Sequence, residues 1–221
     1  MTWDALAPYW HLFESDGFGL LTIAALVADG ITAPLVLVGA GIGTFAARLR
    51  DEVGETMAVD RSPAMARRAA IEHGLRCIVG DATCLPLADA SVATAICATG
   101  VIESLSRTHR IEVLRELARV AARSYVCAFA APHREGPPAI EIAPTLDRWR
   151  AGEPIARFDR LAAQVGDRQR AYELLAAALP AYEIVIDELD FSDDAVRAGL
   201  RARRVAGDAS AGTMLWRLDR P

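Results

Sequence analysis

The segment Leu35-Val36-Leu37-Val38-Gly39-Ala40-Gly41-Ile42-Gly43, which runs straight into an amphipathic stretch from Thr44, sets the strictest limits on the fold. Four apolar residues without polar alternation specify a strand buried on both faces, as in parallel sheets covered by helices. Glycines at alternate positions let the chain turn sharply and bring bare backbone close to a ligand. A helix starting there adds unpaired N–H groups aimed at the same place. A strand, a glycine turn and a helix in that order are the start of an α/β unit.

The rest of the chain repeats the theme. Short apolar runs at Thr56–Val59, Cys77–Val79, Ala93–Cys97 and Tyr125–Phe129 predict further strands, each closed by Gly, Asp or Pro. Helices are expected over Thr44–Glu52, over Ser62–His73 with Ser62 as N-cap and Pro63 in the first turn, and over Arg107–Ala121. In the last of these Ile111, Leu114, Leu117, Ala118 and Ala121 share a face. The prediction is an α/β fold: a doubly wound, mostly parallel seven-stranded sheet with helices on both faces. A single domain over 1–221 is expected, with N-terminal helices in 1–30. Residues 132–166 contain Pro132, Pro137, Pro138, Pro144 and Pro154 beside Trp149 and Phe158, which suggests a lid or insertion after the fifth strand. Beyond it we expect a helix at Arg168–Leu179, a strand at Tyr182–Phe191 and a helix near Asp193–Arg204. An antiparallel strand around Thr213–Leu218 completes the expected sheet.

Composition removes several chemistries. All 24 basic residues are arginine. Without lysine there is no Schiff base, no P-loop lysine and no kinase strand lysine. A net charge of −5 disfavours nucleic acid as a partner. Cys77, Cys84, Cys97 and Cys127 lack the spacing of a zinc site, so no metal is expected. The N-terminus, with Asp4, Glu14 and Asp16, has no basic segment before an apolar run, and Asp29 and Pro34 interrupt the apolar residues 19–47. No secretory signal and no membrane span are therefore expected, and a cytoplasmic location is.

Two acids follow the glycine turn in a telling order. Asp60 ends the second strand, seventeen residues beyond Gly43, where a carboxylate accepts hydrogen bonds from both hydroxyls of a ribose. Asp81, in Gly80-Asp81-Ala82 at the end of the third, is placed to receive an adenine amino group. Three strand ends thus converge on the carboxyl edge of the sheet, where such folds bind ligands. The spacing Gly39-x-Gly41-x-Gly43 ends on Thr44 where a dinucleotide fingerprint wants another glycine.

From Trp3 to Phe129 the chain resembles the Rossmann-like S-adenosylmethionine-dependent methyltransferases, particularly the ubiquinone-biosynthesis-like (type 11) group acting on small molecules. The resemblance rests on Trp3-Asp4-Ala5-Leu6-Ala7-Pro8-Tyr9-Trp10, Gly39-Ala40-Gly41-Ile42-Gly43 and Val59-Asp60-Arg61-Ser62-Pro63-Ala64-Met65. Gly80-Asp81-Ala82-Thr83-Cys84-Leu85-Pro86-Leu87 and Arg115-Glu116-Leu117-Ala118-Arg119-Val120 extend it. It implies S-adenosyl-L-methionine as cofactor, with Tyr9, Gly39, Ala40, Gly41, Gly43, Asp60, Arg61, Met65, Asp81, Ala82 and Thr99 around it. Leu37 stands where the family usually has an acid, Val92-Ala93 where a Phe-Asp pair often starts the fourth strand, and Ala122-Arg123-Ser124 where Pro-Gly-Gly precedes the fifth.

The implied reaction is methyl transfer to an O, N or C nucleophile of a small-molecule acceptor. Where the acceptor needs a base, the candidates are His133 after the fifth strand, His11 near the N-terminus, and Glu103 after the fourth strand. Glu103 has a second expected use in orienting a substrate amine. Trp149 and Phe158 are candidates to cover an apolar substrate, and Arg134, Arg148, Arg150 and Arg157 to meet a carboxylate or phosphate. Two other readings stay open: the same fold binding the cofactor without methyl transfer, as an auxiliary subunit or in another reaction, and a nicotinamide-dependent oxidoreductase. The oligomeric state, monomer or homodimer, is left open.

Overall fold

The computed structural model describes residues 3–14, 20–129, 139–179, 182–184, 186, 188–207 and 213–221. Five strands run parallel: β1 (Leu35–Val38), β2 (Thr56–Asp60), β3 (Arg76–Val79), β4 (Val92–Cys97) and β5 (Ala121–Phe129). β9 (Thr213–Asp219) lies antiparallel to β5, and β8 (Arg201–Ala206) antiparallel to β9. The sheet order is β3-β2-β1-β4-β5-β9-β8, so β1 sits near its centre with Val38 opposite both Val59 and Cys97. The seven-stranded doubly wound sheet with an antiparallel last strand is present as expected.

Side-chain alternation along β1 divides the core. Leu35 and Leu37 point into a cluster with Ile23 and Leu26 of α1 (Leu20–Ala28), Phe45 and Leu49 of α2 (Thr44–Val53) and Ala69 of α3 (Pro63–His73). Val36 and Val38 point the other way, onto Leu114 and Leu117 of α4 (Arg107–Val120) and Phe191 and Ala195 of α8 (Glu188–Arg197). Phe191 stacks on Trp216 of β9 at 4.3 Å between ring centroids. Ser62 caps α3 by accepting the Met65 N–H at 3.1 Å, as its position predicts. Among the described residues no helix is long and apolar enough to cross a membrane.

Between β5 and α8 the chain forms a second layer. β6 (Ala139–Glu141) pairs antiparallel with β7 (Tyr182–Ile184), and between them lie α5 (Ile142–Arg150), α6 (Ala156–Val165) and α7 (Arg168–Ala178). Trp149 and Phe158 are fully buried here, 5.5 Å apart edge to face, with Leu161, Leu175 and Leu6 around them. They are the core of this layer rather than a cover presented to a ligand.

Two expectations are corrected. Of the strand expected at Tyr182–Phe191, Tyr182–Ile184 form β7 while Glu188 to Phe191 belong to helix α8; the helix expected near Asp193–Arg204 ends at Arg197 and gives way to β8. Phe191, Asp194 and Ala195 recur at helical spacing on the buried side of α8, which fixes this segment as a helix packed on the sheet. In α4 the buried stripe is Arg110, Val113, Leu114, Leu117 and Val120, one step round from the face expected, because α8 packs there as well as the sheet.

Asp194, 1% exposed, explains the buried arginine in that stripe. Its carboxylate takes the Arg110 Nε at 2.9 Å and the Arg107 Nε at 2.6 Å, fastening α8 to α4. Removing one partner of a buried pair strands the other charge. Asp194→Ala is expected to cost about 3 kcal/mol in chemical unfolding; a loss below about 1 kcal/mol, the level of a surface pair, would show that the contact carries no structural weight.

Candidate functional site

The ends of β1, β2, β3 and β4 meet at the carboxyl edge of the sheet, and the reversal of strand order between β1 and β4 opens a crevice there. Backbone bonds from Gly39 N–H to the Val59 carbonyl (2.8 Å) and from Ala98 N–H to the Val38 carbonyl (2.9 Å) continue the ladder past the last strand residues. The glycine turn then leaves the sheet. Gly39, Gly41 and Gly43 all have positive φ (73°, 56° and 90°). Each also meets a neighbour where a side chain would start. A Cβ on Gly43 would lie 2.7 Å from that of Ala69, so this glycine lets α3 pack against the start of α2; one on Gly39 would fall onto Val101 Cγ2.

Asp60 is tied into the turn. Its Oδ2 accepts the Gly41 N–H at 2.8 Å and its Oδ1 the Ser62 N–H at 2.9 Å. A carboxylate has roughly four acceptor positions, so two backbone donors leave capacity for ligand hydroxyls. Burial pushes its carboxyl above the usual aspartate range, and the two N–H bonds counteract that only in part. Asp81 differs. It is exposed, its Oδ1 takes the Thr83 N–H (2.9 Å) and hydroxyl (2.7 Å), and these bonds hold its carboxyl below the usual range. Asp81 therefore offers a fixed, charged acceptor at the end of β3.

The N-terminal residues form a strap over this edge, with two short 3₁₀ turns at Trp3–Ala5 and Ala7–Leu12. The Asp4 carboxylate accepts the Ser62 hydroxyl at 2.5 Å and the Ala64 N–H at 3.0 Å, seating the strap on the first turn of α3. Arg68 donates to the Ala7 carbonyl, and Arg160 of α6 to the Leu12 carbonyl at 2.7 Å. The Trp10 indole lies against the turn: its Nε1 would be 3.3 Å from a Cβ on Gly41. Trp3 meets Trp10 edge to face, Trp10 stacks on Phe13, and Phe13 lies tilted against Phe158, linking the glycine turn to the helical layer. Thr44, the first residue of α2, donates its hydroxyl to Glu14 Oε2 at 2.6 Å. Burial raises the Glu14 carboxyl above its ordinary value.

The residues expected from sequence fall into three groups. Gly39, Ala40, Gly41, Gly43, Asp60 and half-buried Thr99 share one edge. Met65 is buried between Ile42 and Ala7, while half-buried Tyr9 packs toward the helical layer; both support the strap. Ala82 packs on the core beside β3, and Arg61 is exposed. Of the proposed bases, His11 is exposed on the strap, and His133, like Arg134, lies outside the described residues. Arg148 and Arg150 pair with Glu153 and Asp147, and Arg157 lies 5.0 Å over the Phe158 ring. Glu103 is fully buried, with Oε2 accepting the Gly100 N–H at 2.9 Å. Burial chiefly raises the thiols of Cys97 and Cys127, the latter to about 12, and the Glu103 charge adds to both shifts. The turn that carries Glu103, Ile102–Ser104, packs against β5 and β7. Sequence reasoning assigned no role to Trp10, Glu14 or Val101. Trp10 stands inside the quoted N-terminal motif, but its contact with Gly41 joins residues 31 positions apart and leaves no local pattern.

Residues 36–124 match a family model described as a methyltransferase domain. No curated protein matches the chain. Among solved structures it is similar to Streptomyces venezuelae DesVI, with 13% identity and a TM-score of 0.65 over 97% of this chain and 98% of that one. A chain of the complex between the Haloferax volcanii Trm112 methyltransferase activator and the putative methyltransferase gives 17% and 0.65, covering 99% and 97%. The S-adenosylmethionine-bound magnesium protoporphyrin IX methyltransferase of Synechocystis PCC 6803 gives 15% and 0.54, covering 91% and 77%. Residues 36–124 are thus similar to a methyltransferase domain, and the chain as a whole has the Rossmann-like fold of these solved structures.

Proposed function

We propose that the chain is an enzyme transferring a methyl group from S-adenosylmethionine to a small-molecule nucleophile. The observation that carries this reading is the Asp60 carboxylate, bonded to the glycine turn at Gly41 and with acceptor capacity for two ribose hydroxyls. Asp81 stands one strand further out for the adenine amino group. The cofactor supplies a methyl group on positively charged sulfur, already activated for in-line displacement. The protein's part is to hold donor and acceptor in line and to exclude water. The aromatic strap and the layer formed by α5, α6 and α7 serve that end, and they favour an acceptor small enough to fit beneath them. Where the acceptor must lose a proton, we assign the base to His133 from its place in the chain just after β5.

A dinucleotide cofactor fits poorly. Its pyrophosphate would approach the start of α2, where Glu14 bonds Thr44 and a second anion meets a carboxylate. The net charge of −5 disfavours nucleic acid as acceptor.

Calorimetric titration tests the reading. S-adenosylmethionine and S-adenosylhomocysteine are expected to bind in the micromolar range, NAD far more weakly, and Asp60→Ala to weaken both adenosyl compounds at least about tenfold. Preference for NAD would overturn the proposal. The same titration carries a pH signature. Protonating Asp60 removes the acceptor, so affinity falls as the pH drops through its carboxyl pKa. Because burial raises that value, the fall begins at a higher pH than an exposed aspartate would give. Asp60→Asn should flatten this part of the profile; an unchanged profile would assign it to another group.

A further inference from the structure

The seven-stranded sheet ends in β3 on one side and β8 on the other, and the two edges differ. On β8 the exposed Arg201, Arg203 and Arg204 crowd the strand with charge, a common guard against pairing with another chain. On β3 the only charge within the strand is Arg76 at its start. Cys77 and Ile78 follow half-buried, and Val79 is 52% exposed.

The register leaves the β3 edge open. Gly80 donates its N–H to the Asp60 carbonyl at 3.0 Å, and Val79 lies opposite Asp60. Backbone groups alternate in direction along a strand, so Arg76, Ile78 and Gly80 turn theirs toward β2, and Cys77 and Val79 turn theirs outward. Among the described residues nothing bonds to the N–H or carbonyl of Cys77 or Val79. The charges at the two ends of the edge are opposite. Arg76 is exposed and makes no hydrogen bond or ion pair among the described residues. Asp81, just past the other end, is exposed and bonded through Oδ1 to Thr83.

A second β3, laid antiparallel about a twofold axis through Ile78, answers both features. Cys77 of each copy faces Val79 of the other, and such facing pairs exchange both N–H···O bonds. Arg76 faces Gly80 of the other copy, whose missing side chain leaves room for the guanidinium to reach Asp81. With Oδ1 taken by Thr83, Asp81 Oδ2 has acceptor positions for this guanidinium and for the adenine amino group. An unrelated strand would satisfy the backbone alone. An edge complementary to itself is what a twofold interface requires.

We propose that the chain forms a homodimer in which two β3 edges pair antiparallel about Ile78, with Arg76 of each copy on Asp81 of the other. The seam is short, so the dimer dissociates reversibly. Sedimentation equilibrium from about 1 to about 100 µM tests it. The unaltered protein is expected to show a monomer–dimer equilibrium that added salt weakens. Val79→Pro removes an outward N–H and no bond of the sheet itself, so it should melt like the unaltered protein and stay monomeric. Arg76→Asp, which sets like charges side by side, should weaken association at least about tenfold.

A disulfide reads the register. Ile78 faces itself across the axis at about 4.5 Å between Cα atoms, so Ile78→Cys, combined with Cys77→Ala and Cys84→Ala, should cross-link under oxidised glutathione. A monomer at about 100 µM, a dimer that survives Arg76→Asp undiminished, or a dimer without the cross-link would each overturn the proposal. Arg76→Asp and the cross-link decide it even where Val79→Pro fails to fold. No adenosyl ligand enters these measurements, so their failure leaves the adenosyl reading intact.

Discussion

The site depends on the burial of β1 on both faces. Leu35, Val36, Leu37 and Val38 are each at most 1% exposed, and their alternate side chains anchor the two helix layers. The carboxyl end of β1 is thereby fixed between β2 and β4, and the glycine turn leaves the sheet from a rigid base. Asp60, bonded to Gly41, and the loop carrying Val101 over Gly39 take their positions from it. Packing on both faces thus sets where the strand ends stand at the carboxyl edge.

What the sequence made legible is what short-range chemistry controls. The parallel strands are apolar runs closed by Gly, Asp or Pro, and Ser62 before Pro63 marks a helix start by its own hydrogen bond. Gly39, Gly41, Gly43, Asp60 and Asp81 were legible for the same reason: each sits at a strand end, so its place follows from the strand. The region from Tyr182 to Arg204 was not. Its apolar residues alternate at first, and whether Phe191 faces a sheet or a helix layer is decided by Trp216 of β9, distant in sequence. The Arg110–Asp194 pair, 84 residues apart, turned α4 one step from the face its apolar residues alone suggested. The strap was hidden likewise, since Asp4 on Ser62 and Glu14 on Thr44 are long-range contacts.

Leu37 shows how this chain handles charge at its centre. The side chain is fully buried in the cluster that holds Phe45, Ile96 and Tyr125, where a carboxylate would pay a large desolvation cost. Acidic groups are placed around that cluster instead. Asp60 and Asp81 stand at the outer strand ends, Glu14 meets the start of α2 and Glu103 lies after β4. The aromatic strap and the helical insertion then close over the edge from one side, joined through Phe13 and Phe158.

A crystal structure of the protein with S-adenosylhomocysteine tests this account most directly. The account predicts the ligand stretched along the carboxyl ends of β3, β2, β1 and β4. Both ribose hydroxyls should lie within hydrogen-bond distance of the Asp60 carboxylate, about 2.7 Å. A ligand bound elsewhere, or with its ribose away from Asp60, would contradict it.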